Sequence, residues 1–267
     1  MNRVRALVGE LPGAAAAAAA GPEAARALGS ACGCACAYLG IDVDYAPVLD
    51  VAREGGYLGG EDRCLGRTPA EVEEHAAAFL DGLEAYGVAA CLKHFPGLGS
   101  GAVDSHAELP VLDDRVVEEC RPFQALSAPQ RGVMVAHALV PQLGEGMRPA
   151  TLSPVIVAVA RAAEGGPVIC DDLEMGALDS FGSVPERAAA ALLAGCDQVL
   201  VCNALDQRLA TVEHLEAWGR KAPEMRHALV RAGDRVSRYG RRPLPTVEIE
   251  EVEARIEGAW ELCGGRP

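Results

Sequence analysis

Five short strand-like runs, most of them continuously apolar and each separated from the next by a helix-length segment, limit what this chain can fold into more than any other feature. They are Ile41 to Val48, Val88 to Leu92, Gly132 to Ala136, Val168 to Cys170 and Gln198 to Cys202. Continuous apolar runs belong to strands buried on both faces, and their alternation with helices signals βαβ units and a parallel sheet. Polar residues follow four of the runs at once: Asp50, Lys93-His94, His137 and Asp171. In a (β/α) barrel such residues share the mouth formed by the strands' C-terminal ends, where active sites form. An open doubly wound sheet gathers fewer of them at one point, and no Gly-x-Gly-x-x-Gly follows a strand here. The expected fold is therefore an α/β, TIM-type (β/α) barrel. A closed barrel takes eight strands, so five make it N-terminally incomplete. Residues 206 to 262 carry helical patterns and no strand. This divides the chain into a partial barrel over 1–205 and C-terminal helices over 206–267 packed on it.

Local signals support the helices between the runs. Pro22 suits a first helical position and Gly40 a stop, which predicts a helix over 22–39. Thr68-Pro69-Ala70-Glu71 is a capping box, and Val72, Ala76, Phe79, Leu80 and Leu83 follow at helical spacing up to Gly87. Further helices are predicted over 114–128, from Ser153-Pro154 to Gly165-Gly166, and over 184–194.

The formal net charge is −14, with no basic cluster. That argues against nucleic acid and against anionic membranes as partners. No apolar run approaches membrane-spanning length. The opening Met1 to Ala20 imitates a signal peptide, but Glu10, Pro12 and Gly13 interrupt it, so it reads as loop and helix. Ten cysteines are present. Cys32, Cys34, Cys36, Cys91, Cys170 and Cys202 sit among Ala, Leu, Ile and Val and read as buried thiols acting as small apolar residues. No Cys-x-x-Cys occurs, and free thiols in this number fit a reducing, cytoplasmic compartment.

The second run opens into Lys93-His94-Phe95-Pro96-Gly97-Leu98-Gly99-Ser100-Gly101-Ala102-Val103-Asp104-Ser105-His106. Residues i and i+2 of extended backbone share a side. Asp104 beside His106 thus forms a dyad whose carboxylate fixes the imidazole's tautomer and suits it to acid–base work near neutral pH. Taken alone, an Asp-x-His reads sooner as a solvated pair on a surface loop.

The whole stretch resembles the signature of family 3 glycoside hydrolases of the bacterial β-N-acetylhexosaminidase type: Lys-His-Phe/Ile-Pro-Gly-His/Leu-Gly, four residues, then Asp-Ser/Thr-His. Every fixed position and the gap match. The resemblance runs in register from Met1 to about Cys202. Family members open with three further strands, the third ending in Asp-Gln-Glu-Gly-Gly-Arg-Val, and Arg3 matches the arginine that follows that motif. The resemblance implies Asp171 as nucleophile, His106 as acid/base with Asp104 as its partner, and Lys93, His94, Arg63 and Arg3 as substrate-binding residues. Arg63 stands in Arg63-Cys64-Leu65-Gly66, where the family has Arg-Ser-Phe-Gly. His137, at a strand end, reads either as a further substrate-binding residue or as a satisfied core histidine. Asp172 reads as a holder of loop structure.

The implied activity is that of a retaining exo-β-N-acetylglucosaminidase. It removes terminal GlcNAc from peptidoglycan fragments of the GlcNAc–anhydroMurNAc type, through a covalent glycosyl-enzyme. The partner is a small carbohydrate, with no metal or organic cofactor implied, and a monomer is expected if the barrel is complete. Three alternatives stand beside it: a truncated, non-catalytic remnant serving as a binding module; a β-glucosidase-type family 3 hydrolase; and a metallohydrolase using His94, Asp104 and His106. The Asp-x-His dyad favours the hexosaminidase over the β-glucosidase.

Overall fold

A computed structural model describes residues 4–54, 62–99, 101, 108–144, 147–162 and 165–266. Two short helices and a long one open it: α1 (Arg5–Val8), α2 (Ala14–Ala20) and α3 (Pro22–Tyr38), with Pro22 in the first turn of α3 as its sequence predicts. Strand β1 (Val43–Asp44) is followed by α4 (Pro69–Glu84) and β2 (Ala89–Phe95). The Thr68 side chain accepts the Glu71 amide at 3.2 Å, so the predicted cap of α4 is made. Next come α5 (Val116–Glu119), α6 (Arg121–Ala125) and β3 (Gly132–Val135). Then follow α7 (Pro154–Ala162), β4 (Val168–Asp172), α8 (Val184–Ala194) and β5 (Gln198–Leu200). The chain closes with α9 (Leu205–Gly219), α10 (Pro223–Val236) and α11 (Ile249–Leu262).

The strands pair in chain order, β1-β2-β3-β4-β5, all parallel. A doubly wound sheet reverses direction at a switch point. Sequential order winds one way only, and the result is a curled half-barrel with helices outside, as expected from the apolar runs. Each strand alternates between two layers. Ala90, Leu92, Val133, Val135, Val168 and Cys170 point outward into the large core shared with the helices. Cys91, Met134 and Ile169 point inward, where Tyr45, Leu200 and Tyr239 pack on them.

Two readings change. The strand expected over Ile41 to Val48 is regular only at Val43–Asp44. It still runs beside β2, since Cys91 N donates to Ala46 O and Leu49 N to Lys93 O. Pro47 has no N–H to give, which breaks the ladder. The helix expected over 114–128 is two short helices meeting at Cys120, with Pro122 in the first turn of the second.

Two glycines set the closest helix contact. A Cβ on Gly29 of α3 would lie 2.0 Å from Phe79 O, and one on Gly82 of α4 would lie 2.2 Å from Arg26 O. The C-terminal helices are tied to the rest. Tyr239, after α10, reaches under the sheet and donates to Ala90 O at 2.7 Å. Tyr86 OH bonds Glu251 at 3.0 Å, and Trp260 Nε1 bonds Glu10 O at 2.9 Å.

β5 pairs only with β4, and β1 only with β2, among the described residues. Beyond β5, α9 shows Leu205, Leu209 and Val212 exposed to 63%, 58% and 54%. These positions, i, i+4 and i+7, form one stripe. The buried residues of α9, Thr211, Leu215 and Gly219, lie about a quarter turn around the helix from it.

Candidate active site

Both strands that carry the expected chemistry are irregular where it sits. The β2–β3 register shifts between Leu92 and Phe95, and the β4–β5 register shifts between Ile169 and Asp172. Such irregularities re-aim side chains and recur beside active sites. Lys93 and His94 therefore lie on the last residues of β2 itself, not in a loop after it. Phe95 anchors that end: it is buried and meets the Phe123 ring edge-on at 5.4 Å. Such a pair contributes about 0.5–1.5 kcal/mol beyond its area.

Lys93 stands two residues beyond Cys91, and Asp171 two beyond Ile169. Both lie near the C-terminal ends of their strands, just beyond the inward-packed Cys91 and Ile169. Burial pushes the Lys93 ammonium below its ordinary value, with the Arg63 charge adding to this and Cys91, Asp171 and Asp44 opposing it. For Asp171, burial acts to raise the carboxyl. His94, His137, Lys93 and the Asp172 amide outweigh it, and the net direction is down. That amide donates to Asp171 Oδ1 at 2.8 Å. Asp171 is thus a partly buried, ionised carboxylate surrounded by cationic and N–H groups, on the same rim as Lys93 and His94.

His94 is held from below. Its Nδ1 lies 2.6 Å from Asp50 Oδ2, and Asp50 is fully buried. Asp50 Oδ1 also accepts Leu98 N at 2.7 Å. Under the same turn lies Glu119, fully buried, with Oε1 taking Arg53 Nε at 3.0 Å. A Cβ at Gly99 would meet Val51 O at 2.3 Å and Glu119 Oε2 at 3.2 Å, so glycine is what lets the turn pass over this carboxyl. Burial raises the Glu119 carboxyl, and Arg53 partly counters it.

Arg63 is half-buried, and its charge reaches Lys93 and Cys64. Cys64 and Leu65 beside it are buried, filling the core in the Cys-Leu form of that motif. Of the two readings of His137, its surroundings match the satisfied core histidine. It is fully buried, with Nδ1 2.6 Å from Thr151 Oγ1 and Nε2 2.9 Å from Asp172 O, which leaves no ring nitrogen for a ligand. Its role is to support β4 under Asp171. Asp172 behaves as a loop holder: Oδ1 takes the amides of Glu174 at 3.2 Å and Cys202 at 3.3 Å, and Oδ2 takes Asn203 Nδ2 at 3.2 Å. Glu174 completes the tie by accepting Asn203 N at 2.6 Å and Ala204 N at 2.9 Å. Arg3, Asp104 and His106 lie outside the described residues.

Among the described residues no cluster of His, Cys, Asp and Glu has the geometry of a metal site. Seven of the ten cysteines are buried, and burial lifts the Cys64, Cys91, Cys120 and Cys196 thiols to about 12, well away from thiolate reactivity. Cys202 is a correction: it is exposed, because β5 ends at Leu200 and the chain has already left the sheet.

The family described as "Glycosyl hydrolase family 3 N terminal domain" matches residues 1–236. The chain belongs to glycoside hydrolase family 3. A β-hexosaminidase of Idiomarina loihiensis is 38% identical over 202 residues, covering 73% of this chain and 59% of the relative. The β-hexosaminidase LpqI of Mycobacterium tuberculosis is 42% identical over 177 residues, covering 61% of this chain and 45% of the relative. The chain thus spans about half the length of these curated relatives. A solved β-N-acetylhexosaminidase from Beutenbergia cavernae superposes with a TM-score of 0.78 at 28% identity, covering 85% of this chain and 71% of that one. A family 3 β-N-acetylglucosaminidase from Paenibacillus gives 0.77 at 29% identity, over 96% of this chain and 53% of that one. The resemblance carried by the Lys93–His106 signature and the half-barrel architecture are both borne out.

Two residues of the site escaped sequence reading. Asp50 was legible only as a polar residue after an apolar run. Glu119 had no signal, since Glu118-Glu119 on a helix reads as a solvated face.

Proposed function

We propose that this family 3 chain carries the catalytic half of a retaining exo-β-N-acetylglucosaminidase acting on peptidoglycan-derived fragments in the cytoplasm. The observation behind this reading is Asp171: a carboxylate held below its ordinary value despite burial, with the Asp172 amide donating to Oδ1 at 2.8 Å, at the end of the sheet that also bears Lys93 and His94. In the first step a carboxylate oxygen of Asp171 forms a bond to the anomeric carbon as the glycosidic C–O bond breaks. The leaving oxygen takes its proton from His106, oriented by Asp104. In the second step His106 accepts a proton from water, whose oxygen displaces Asp171. Lys93, His94, Arg63 and Arg3 bind the sugar. The names of the relatives support an N-acetylhexosamine over glucose.

The test is hydrolysis of 4-nitrophenyl N-acetyl-β-glucosaminide, with release of nitrophenol lost in Asp171→Ala and kept in the presence of chelator. Loss with chelator supports the metallohydrolase instead. The open β5–α9 flank favours a second reading, a non-catalytic binding module. Absence of hydrolysis by the folded chain, with N-acetylglucosamine still bound in calorimetry, selects it.

A further inference from the structure

The Asp50 carboxylate faces three N–H groups of one short segment. Its Oδ2 is 2.6 Å from His94 Nδ1, and its Oδ1 is 2.7 Å from Leu98 N and 3.4 Å from His94 N. The carboxylate is shut from solvent, and His94 is buried too. Asp50 comes from the chain just after β1, whereas His94 is on β2, so the contact locks two neighbouring strand ends together. A carboxylate only accepts, so the proton on the Oδ2–Nδ1 line belongs to His94, and Nε2 is the ring nitrogen left over. His94 lies near the C-terminal end of β2, the same end of the parallel sheet at which β4 carries the proposed nucleophile Asp171.

We propose that Asp50 is a positioning residue: it fixes His94 as the Nδ1–H tautomer and aims Nε2 into the site as an acceptor for a hydroxyl of the bound sugar. The value of this arrangement rests on the glycosidase reading; the tautomer does not. Without Asp50, the ring is free to turn and to place its proton on Nε2, which turns an acceptor into a donor. A second consequence concerns the signature turn. Asp50 holds Leu98 N as well as the ring, so the segment leading toward Asp104 and His106 starts from a fixed point.

The test reads the ring nitrogens of the uniformly ¹⁵N-labelled full chain by two-bond proton–nitrogen correlation, above the histidine titration range. The signals of His94 are assigned with His94→Gln. The expected result is a protonated Nδ1 and a bare Nε2 in the unsubstituted protein, with the pattern scrambled or reversed in Asp50→Asn. N-acetylglucosamine affinity in calorimetry is expected to fall about two- to tenfold in Asp50→Asn, the scale of one neutral hydrogen bond. A His94 carrying its proton on Nε2 in the unsubstituted protein overturns the proposal, as does an Asp50→Asn chain with unchanged ring signals. If the Nδ1–H tautomer is found but the unsubstituted chain binds no sugar, Asp50 retains its action on the ring and the glycosidase reading fails instead.

Discussion

The rim at the ends of β2 and β4 and the flank formed by β5 and α9 belong to one sheet but are finished to different degrees. On the rim, buried and half-buried polar groups meet partners from neighbouring elements: Asp50 holds His94 and Leu98, and Asp172 holds Glu174, Cys202 and Asn203. On the flank, β5 has one neighbouring strand among the described residues, and α9 turns Leu205, Leu209 and Val212 to solvent. The described contacts of the rim are made between adjacent strand ends and the segments that follow them. The stripe on α9 takes no part in such pairing, and its side chains stay in solvent.

The sharpest separation of the two regions is chemical. Asp171→Ala is expected to remove hydrolysis of the nitrophenyl substrate by at least about a thousandfold, the scale of losing a nucleophile, with little change in the thermal melting point. Equal kcat in the two proteins denies the rim its proposed role. Next in size, Asp172→Ala should lower unfolding free energy in urea by about 1.5–3 kcal/mol, because it strands N–H groups that a charged acceptor now satisfies. A neutral result means the loops after β4 and β5 stand without this tie.

Glu119→Gln probes the rim through pH. Burial raises the folded Glu119 above its ordinary 4.5, so the fold favours its neutral form. The stabilisation from that form is fully present below the unfolded value and is lost as pH rises through the raised folded value. Urea unfolding at a series of pH values should therefore show a smaller loss of stability above pH 4.5 in Glu119→Gln than in the unsubstituted chain. Parallel pH curves contradict the assignment. The smallest expected effect on stability belongs to the flank. Leu209→Lys should leave it within about 0.5 kcal/mol, yet reduce concentration-dependent association in sedimentation, since exposed apolar stripes drive self-contact. A large stability loss there would mean that Leu209 is already covered.

Legibility in the sequence followed range. Pro22 and Thr68-Pro69 announced two helices because caps act within one turn. Lys93, His94 and Asp171 were legible because a motif holds them in chain order. Asp50's hold on His94 was not, since the partners are 44 residues apart and meet only when β1 and β2 pair. His137 was ambiguous for the same reason: Thr151 and Asp172, which occupy its ring, arrive from two other segments.

By itself, the order of apolar runs and helical segments determined a one-way parallel sheet, since each strand had to be followed by a helix covering it. Only tertiary structure decided which polar groups at the strand ends became buried partners and which stayed free to meet a ligand. Burial and hydrogen-bond pairing are properties of neighbours in space, and a carboxylate's or imidazole's chemistry is set by those neighbours.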